Sequence, residues 1–202
     1  MLEVGVRIDA PLLGPLTTYP YPQSCSHGLC GYYESAPFHP AIGLSASIPI
    51  AGRLRLRFDP VYQRVGISAN FNPQLNSPPG EVVSKTSTTA NRWQLPALVE
   101  AGLPRHLRLA VGPVVSLLTD AEGIDKFVNP FLGTTTYYVD NYYFPVSRRA
   151  IAGAAAALEF PFRLKNLTLA PEVRYKRWFD KHYGANSTMD EFTVGIAIRL
   201  SR

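Results

Sequence analysis

LEVGVRIDA, residues 2–10, alternates apolar residues with polar or small ones without an exception. Its even positions are Leu, Val, Val, Ile and Ala, and its odd positions are Glu, Gly, Arg and Asp. A period of two is that of a β-strand, in which successive side chains point to opposite faces. The stretch therefore predicts a strand with one apolar face and one polar face.

Seven further segments repeat this alternation, and each is close to the roughly 9–11 residues with which a tilted strand crosses a bilayer. They are residues 40–50, 53–63, 92–100, 107–117, 152–162, 167–176 and 192–201. The exceptions, which fall on the polar face, are Pro49, Val61, Leu98, Val114 and Pro161. The sixth of the eight segments is rich in Ala and suits a helix by propensity. We predict it to be a strand, because its neighbours need a partner.

The links between these segments alternate strictly between long and short. The long links are residues 11–37, 70–88, 119–147 and 179–189, and the short ones are residues 51–52, 102–105 and 163–166. In an up-and-down arrangement all long links then lie at one end, which is typical of outer-membrane barrels. We predict one all-β domain, residues 1–202, folded as an eight-stranded antiparallel up-and-down transmembrane β-barrel. It would have four long external loops and short periplasmic turns.

The polar face mixes charged residues with Gly, Ala and Ser, which suits a crowded barrel lumen better than a solvated surface. The predicted lumen cations are Arg7, Arg53, Arg55, Arg57, Arg92, Arg108, Arg174, Lys176 and Arg199, and the carboxylates are Glu3, Asp9, Asp59, Glu100, Glu159 and Glu172. We expect a salt-bridged plug that closes the lumen. The alternative is a narrow pore that weakly prefers anions.

The apolar face carries aromatic residues near the ends of the strands, as an aromatic girdle at a membrane interface would. The predicted girdle residues are Phe38, Tyr62, Trp93, Tyr175 and Trp178. A soluble barrel of the lipocalin kind, with the apolar face turned inward to a ligand, is a further alternative.

Composition excludes several other classes. Charged residues make up 17% of the chain, below the roughly 25% of ordinary soluble domains, as expected if the outer face meets lipid. The net charge of +5 comes from 15 Arg and five Lys against 15 acidic residues, and most of the Arg are placed in the lumen or at its rims. We therefore expect no nucleic-acid partner. No apolar run reaches the roughly 18–20 residues of a membrane-spanning helix.

Residues 1–10 have neither the basic stretch nor the apolar core of a signal peptide. Either the protein is cytosolic, or its signal has been removed or is missing from the sequence. The barrel pattern favours the second case.

Four runs resemble the small outer-membrane β-barrel domain family, with its OmpA-like and PorT-like eight-stranded barrels. They are TTANRWQLP at 88–96, LRLAVGP at 107–113, LAPEVRYKRW at 169–178 and FTVGI at 192–196. The resemblance covers essentially the whole chain. It implies a monomer in a bacterial outer membrane, in contact with lipid and lipopolysaccharide and inserted by the barrel-assembly machinery. The implied role is structural, adhesive or accessory to secretion, with no cofactor.

Cys25 and Cys30 lie in the first long link, as CSHGLC. If that link faces an oxidising exterior, we expect a disulfide between them. A metal site that joins both thiols to His27 is the alternative, and it would need a further ligand.

No constellation in the sequence indicates an enzyme. The histidines are His27, His39, His106 and His182, and none has an acid and a nucleophile at a spacing that points to catalysis. The third long link is aromatic, with Phe127, Phe131, Tyr137, Tyr138, Tyr142, Tyr143 and Phe144. It either covers the barrel mouth or rests on lipid headgroups, or it forms a binding surface.

Overall fold

The computed structural model describes residues 2–13, 24–26, 29–35, 39–73, 83–129, 134–139, 148–181 and 189–201. Within these ranges the chain is all-β, with thirteen strands and one single-turn 3-10 helix at Pro104–His106. No helix in the described ranges is long and apolar enough to cross a membrane. The strands are β1 Glu3–Leu13, β2 Ser24–Ser26, β3 Leu29–Ser35, β4 Ala41–Ala51, β5 Leu54–Phe58, β6 Val61–Pro73, β7 Val83–Gly102, β8 Arg108–Asn129, β9 Thr134–Val139, β10 Ala150–Glu159, β11 Phe162–Leu164, β12 Leu167–Trp178 and β13 Asp190–Ser201.

The sheet closes into an eight-stranded antiparallel barrel, which confirms the predicted all-β barrel of eight strands. Its barrel strands are β1, β4, β5 with β6, β7, β8, β10 with β11, β12 and β13. The first and last strands pair with each other from Glu3↔Ser201 to Pro11↔Thr193, and this pairing closes the barrel. The Ala-rich segment forms β10, as predicted, because β8 and β12 pair with it on both sides.

Two barrel strands are interrupted at a proline. Asp59–Pro60 separates β5 from β6, and Phe160–Pro161 separates β10 from β11. Proline has no backbone N–H to give to a ladder, and at these two positions the ladder breaks. The breaks are local, since the Pro60 carbonyl still accepts a hydrogen bond from the Leu44 N–H at 3.0 Å.

Pairing continues beyond the predicted strand ends, on the side from which the long links leave. β7 has 20 residues and β8 has 22, both longer than predicted. β9 pairs with the far part of β8, and β3 pairs with β6. Parts of three predicted long links are therefore strand. The polar run SKTSTT at 84–89 has no hydrophobic alternation to reveal this, although Thr favours strands.

The outer face of the barrel is apolar and the inner face is polar. On β1, Val6 and Ile8 are 53% and 52% exposed, while Arg7 between them is 1% exposed. A lipocalin-like barrel would have the reverse arrangement, with the apolar face inside and the polar face outside. The barrel has two distinct ends. The short-turn end holds the turns at 52–53, 103–107 and 165–166, and the long links leave from the opposite, long-link end.

Candidate functional site

The barrel interior holds a continuous network of charged side chains, which is the candidate functional site. Along β12, beyond the buried Thr168 and Ala170 at the short-turn end, the inward residues are Glu172, Arg174, Lys176 and Trp178. Because every second residue of a strand points to the same face, these side chains follow one another along the interior, and the network forms layers along the barrel axis. Three levels can be distinguished, and each is centred on one or two groups.

The middle level is built around Arg57, whose side chain is 0% exposed. Its Nη1 donates to Glu159 Oε2 at 2.8 Å and to Glu100 Oε2 at 3.2 Å. Its Nη2 donates to Glu172 Oε2, and its Nε lies 2.9 Å from Asp59 Oδ2. One guanidinium therefore ties together carboxylates that come from four different barrel strands.

Asp59 is the acceptor at the centre of the same level. Its Oδ2 accepts hydrogen bonds from Arg7 Nη1 at 2.7 Å and from Arg174 Nη2. Its Oδ1 accepts a hydrogen bond from the Ser45 hydroxyl at 2.6 Å. A buried carboxylate is tolerated when cations and hydrogen-bond donors surround it, and Asp59 meets this condition.

The lower level, near the short-turn end, contains two forked arginine–carboxylate pairs. Arg108 donates to both oxygens of Glu3, at 3.0 and 3.2 Å. Arg199 donates to both oxygens of Glu159, at 2.8 and 2.6 Å. Forked pairs fix orientation as well as charge, so they hold the wall formed by β1 and β13 against β8 and β10.

The upper level is centred on Glu191, the second residue of β13. Its carboxylate accepts hydrogen bonds from Arg92 Nη2 at 2.8 Å, Lys176 Nζ at 2.9 Å, Gln94 Nε2 at 3.1 Å and Trp178 Nε1 at 3.2 Å. The Arg92 guanidinium also lies 5.1 Å from the Trp178 ring centroid, within the range of a cation–π contact.

One wall of the interior is small and apolar and leaves space for the long charged side chains of the others. Residues of β7, β8 and β10 form a buried cluster with Trp178: Leu98, Ala110, Val114, Ile151, Ala155 and Ala157. Glycine serves the same purpose at Gly195, where an added Cβ would stand 2.0 Å from Asp9 Oδ1. The interior is thus packed by pairing long residues with short ones.

The charges of the interior nearly cancel. Among the described side chains, eight cations face seven carboxylates: Arg7, Arg55, Arg57, Arg92, Arg108, Arg174, Lys176 and Arg199 face Glu3, Asp9, Asp59, Glu100, Glu159, Glu172 and Glu191. Arg57, Arg199, Asp59 and Glu100 have no accessible surface, so no water-sized path passes them. This agrees with the narrow interior expected of eight strands.

The structure places fourteen of the fifteen predicted lumen residues in this network, and Arg53 is the exception. Arg53 lies in the turn between β4 and β5 and is exposed. The preceding residue, Gly52, has φ +55°, so the chain reverses there and the alternation does not extend to Arg53.

Two buried residues at the long-link end are not among the predicted lumen residues. Trp178 was predicted in the outer girdle but is interior and 1% exposed, because it shares the even parity of Arg174 and Lys176 on β12. Glu191 lies just before the predicted segment 192–201 and is also buried, because it occupies the same alternate positions of β13 as Thr193 and Arg199. Continuing the alternation by one step, to residue 178 on β12 and to residue 191 on β13, places both side chains on the inner face.

The other described girdle residues lie on the outer face in two aromatic pairs. Tyr62 and Trp93 have ring centroids 5.1 Å apart, and Tyr175 and Phe192 have centroids 4.8 Å apart. Trp93 is 43% exposed. The Tyr62 hydroxyl donates a hydrogen bond to Asn91 Oδ1, and the Tyr175 hydroxyl donates one to Asp190 Oδ1. Phe38 lies outside the described residues.

Several predictions concern residues for which no side chain is described. The backbone pairs Cys25 with Cys30 across the β2–β3 hairpin, a separation compatible with a disulfide, but both side chains are outside the described residues. The disulfide therefore stays a prediction. His27, His182, Phe131, Tyr142, Tyr143 and Phe144 lie outside the described residues, and only the backbone is described for Phe127, Tyr137 and Tyr138.

In the described part of the chain, no group of three or more His, Cys, Asp or Glu could hold a metal ion. No protein-family model and no curated protein matches the chain. The resemblance to OmpA-like and PorT-like barrels therefore stays a prediction.

Proposed function

We propose that this protein is a non-enzymatic, monomeric β-barrel of a bacterial outer membrane, with a lumen closed by its salt-bridge network. Its role would be to anchor its long links at the membrane surface, where they serve structure, adhesion or an accessory function. The observation that carries this proposal is the apolar outer face of the barrel.

Large apolar side chains are exposed on almost every barrel strand. Examples between 38% and 60% exposed are Val4, Val6, Ile8, Ile42, Leu44, Leu56, Phe58, Trp93, Val99, Leu109, Val111, Val173, Phe192, Ile198 and Leu200. On β10 the outward positions include the smaller Ala152 and Ala154. Soluble monomers rarely expose contiguous apolar patches beyond a few hundred Å². A belt around the whole barrel is what a bilayer would cover.

The height of this belt also suits a bilayer. β1 and β4 have 11 residues each, and β12 and β13 have 12. At about 3.3 Å per residue and a tilt of about 40°, such strands rise about 28 Å along the barrel axis. An outer-membrane barrel presents an apolar band of about 25 Å.

The interior supports a closed barrel over the pore alternative. The expected anion preference depended on nine cations against six carboxylates. Because Arg53 lies outside the lumen and Glu191 lies inside it, eight cations face seven carboxylates, which removes most of the expected positive excess. Arg57 and its partners fill the cross-section, and opening a path would separate several buried ion pairs at once. Planar-bilayer recordings should therefore show no step currents.

The alternation of link lengths supports an orientation with the short turns in the periplasm and the long links outside. In this orientation the outer face meets membrane lipid, and the long-link rim meets lipopolysaccharide. The chain would reach this state through the barrel-assembly machinery.

The test of the proposal is folding in a membrane mimic. The refolded chain should migrate faster unheated than boiled on an SDS gel, and should insert into phospholipid vesicles only in its folded form. Protease added outside whole cells should cleave a tag placed in the 179–189 link, but not one placed at Gly52. A chain that folds and stays soluble without detergent would overturn the proposal.

A further inference from the structure

A cleft at the short-turn end has a lining that the lumen network does not explain. It has a volume of about 880 Å³ and lies between the turn that contains His106 and the break between β10 and β11. Arg53, Arg108 and Arg163 line it together with His106, and Phe160 and Phe162 provide apolar surface. Its volume falls within the range of small-molecule sites, roughly 300–1,000 Å³.

The charge in this cleft is one-sided. Among the described side chains at this end, the exposed titratable groups are Arg53, His106, Arg163 and Lys165, and all three carboxylates, of Glu3, Glu100 and Glu159, are buried. Those carboxylates are already engaged by Arg108 and the lower level of the network. The exposed guanidinium groups therefore present positive charge to whatever enters the cleft.

Two of these arginines are available to a ligand. The Arg163 side chain is 66% exposed, and its ion pair with Glu3 Oε1 is long, at 3.7 Å, so its N–H groups make no hydrogen bond there and can turn to a ligand. Arg53 is exposed and makes no ion pair with a described carboxylate; its backbone carbonyl, which accepts from the Gly102 N–H at 3.0 Å, fixes it beside the cleft. Guanidinium groups bind phosphate oxygens through paired hydrogen bonds.

The apolar part of the cleft is continuous with the outer belt. Phe160 is 40% exposed, Phe162 is 59% exposed and Leu164, at the end of β11, is 62% exposed. A ligand that fills the cleft would therefore meet cations at one end and lipid-facing side chains at the other. This combination fits an anionic amphiphile better than a free anion.

We propose that this cleft binds the phosphate headgroup of an anionic phospholipid from the adjoining leaflet, with Arg53 and Arg163 on the phosphate and Phe160 and Phe162 along the glycerol and first acyl carbons. The inference rests on the proposed function, because only a barrel inserted in a bilayer brings this end to a lipid headgroup. It adds a specific lipid site to a surface otherwise expected to meet lipid without selectivity.

The test is a titration of the isotope-labelled barrel in non-ionic detergent, followed by the backbone amide signals of Gly102, Leu103, His106 and Phe162. Short-chain phosphatidylglycerol should shift these signals to saturation. Short-chain phosphatidylcholine and inorganic phosphate should shift them only at much higher concentration. The double variant Arg53→Gln with Arg163→Gln should weaken phosphatidylglycerol binding by about tenfold or more.

The matched control is Arg148→Gln with Arg149→Gln, which removes two exposed charges at the long-link end and should leave the affinity unchanged. Heat-modifiable mobility shows that each variant is folded. If the two lipids bind with equal affinity, the arginines do not select an anionic headgroup. If inorganic phosphate binds as tightly as phosphatidylglycerol, the apolar part of the lipid contributes nothing and the ligand is not an amphiphile. A folded barrel that binds none of the probes refutes the inference alone, whereas a chain that does not fold in detergent refutes the proposed function with it.

Discussion

Replacing Arg57 with methionine should destabilise the barrel more than any single change at an exposed ion pair. Methionine keeps most of the volume of the side chain but removes the guanidinium that contacts Asp59, Glu100, Glu159 and Glu172. Removing one partner from a buried ionic network costs about 3–5 kcal/mol, because the remaining charges stay desolvated.

The structure favours the lower part of that range. Asp59 and Glu172 each keep Arg7 and Arg174 as partners, and Glu159 keeps Arg199. Glu100 is the carboxylate left with the weakest compensation of its charge, because its other cations, Arg108 and Arg55, lie 3.3 and 3.6 Å away. We therefore expect a loss of about 3 kcal/mol, a change of more than a hundredfold in the folding equilibrium.

The assay is reversible urea unfolding in phospholipid vesicles, followed by tryptophan fluorescence and by heat-modifiable mobility. Arg57→Met combined with Glu100→Gln should recover part of the lost stability, because it neutralises the carboxylate that Arg57→Met leaves least compensated. The matched control is Arg148→Met, which breaks the exposed 2.6 Å pair with Asp180 and should cost less than about 1 kcal/mol. If Arg57→Met costs no more than this control, the network is not a buried, desolvated one and the reasoning fails.

Three further changes test other parts of the account. Val6→Arg on the outer face should cost about 2–4 kcal/mol in vesicles, with Val6→Leu nearly neutral; equal vesicle folding of the two would contradict a lipid-facing position. Glu191→Ala should lower the urea midpoint by more than Glu191→Gln, which can still accept hydrogen bonds from Trp178, and the reverse order would show that Glu191 is not the hub of the upper level. Cys25 and Cys30 should react with an alkylating reagent only after reduction, as read by mass spectrometry, and free thiols in the exported protein would rule out the disulfide.

The fold could be predicted because one period governs all eight predicted strand segments. The alternation in residues 2–10 and in the seven similar segments indicates which side chains share a face. The alternating link lengths indicate how the strands connect. The continuation of strands into the links could not be predicted, because runs such as SKTSTT at 84–89 are polar on both faces. There the backbone pairing of β7 with β6 and β8 continues without a hydrophobic alternation in the sequence to indicate it.

The interior could be predicted as a set of residues but not as a set of contacts. Parity assigned Arg7 and Glu172 to the lumen, yet their hydrogen bond joins residues 165 positions apart. Which side chains meet across the lumen depends on the stagger of the closed barrel, which no local pattern encodes. Arg53 was misplaced because the alternation was carried one residue past the start of β5, into the turn. Trp178 was misplaced because its aromatic character was given more weight than its place in the alternation, and Glu191 lies just outside the predicted segment 192–201.

The central claim is that one face of these strands meets lipid and the other is sealed inside, and the two tryptophans test it directly. Trp93 is 43% exposed on the outer face and Trp178 is 1% exposed in the interior. Single-tryptophan variants, Trp178→Phe and Trp93→Phe, would be refolded into vesicles of phosphatidylcholine brominated on the acyl chain near the headgroup. Bromine quenching should be strong for Trp93 and weak for Trp178, whereas equal or reversed quenching would contradict the account.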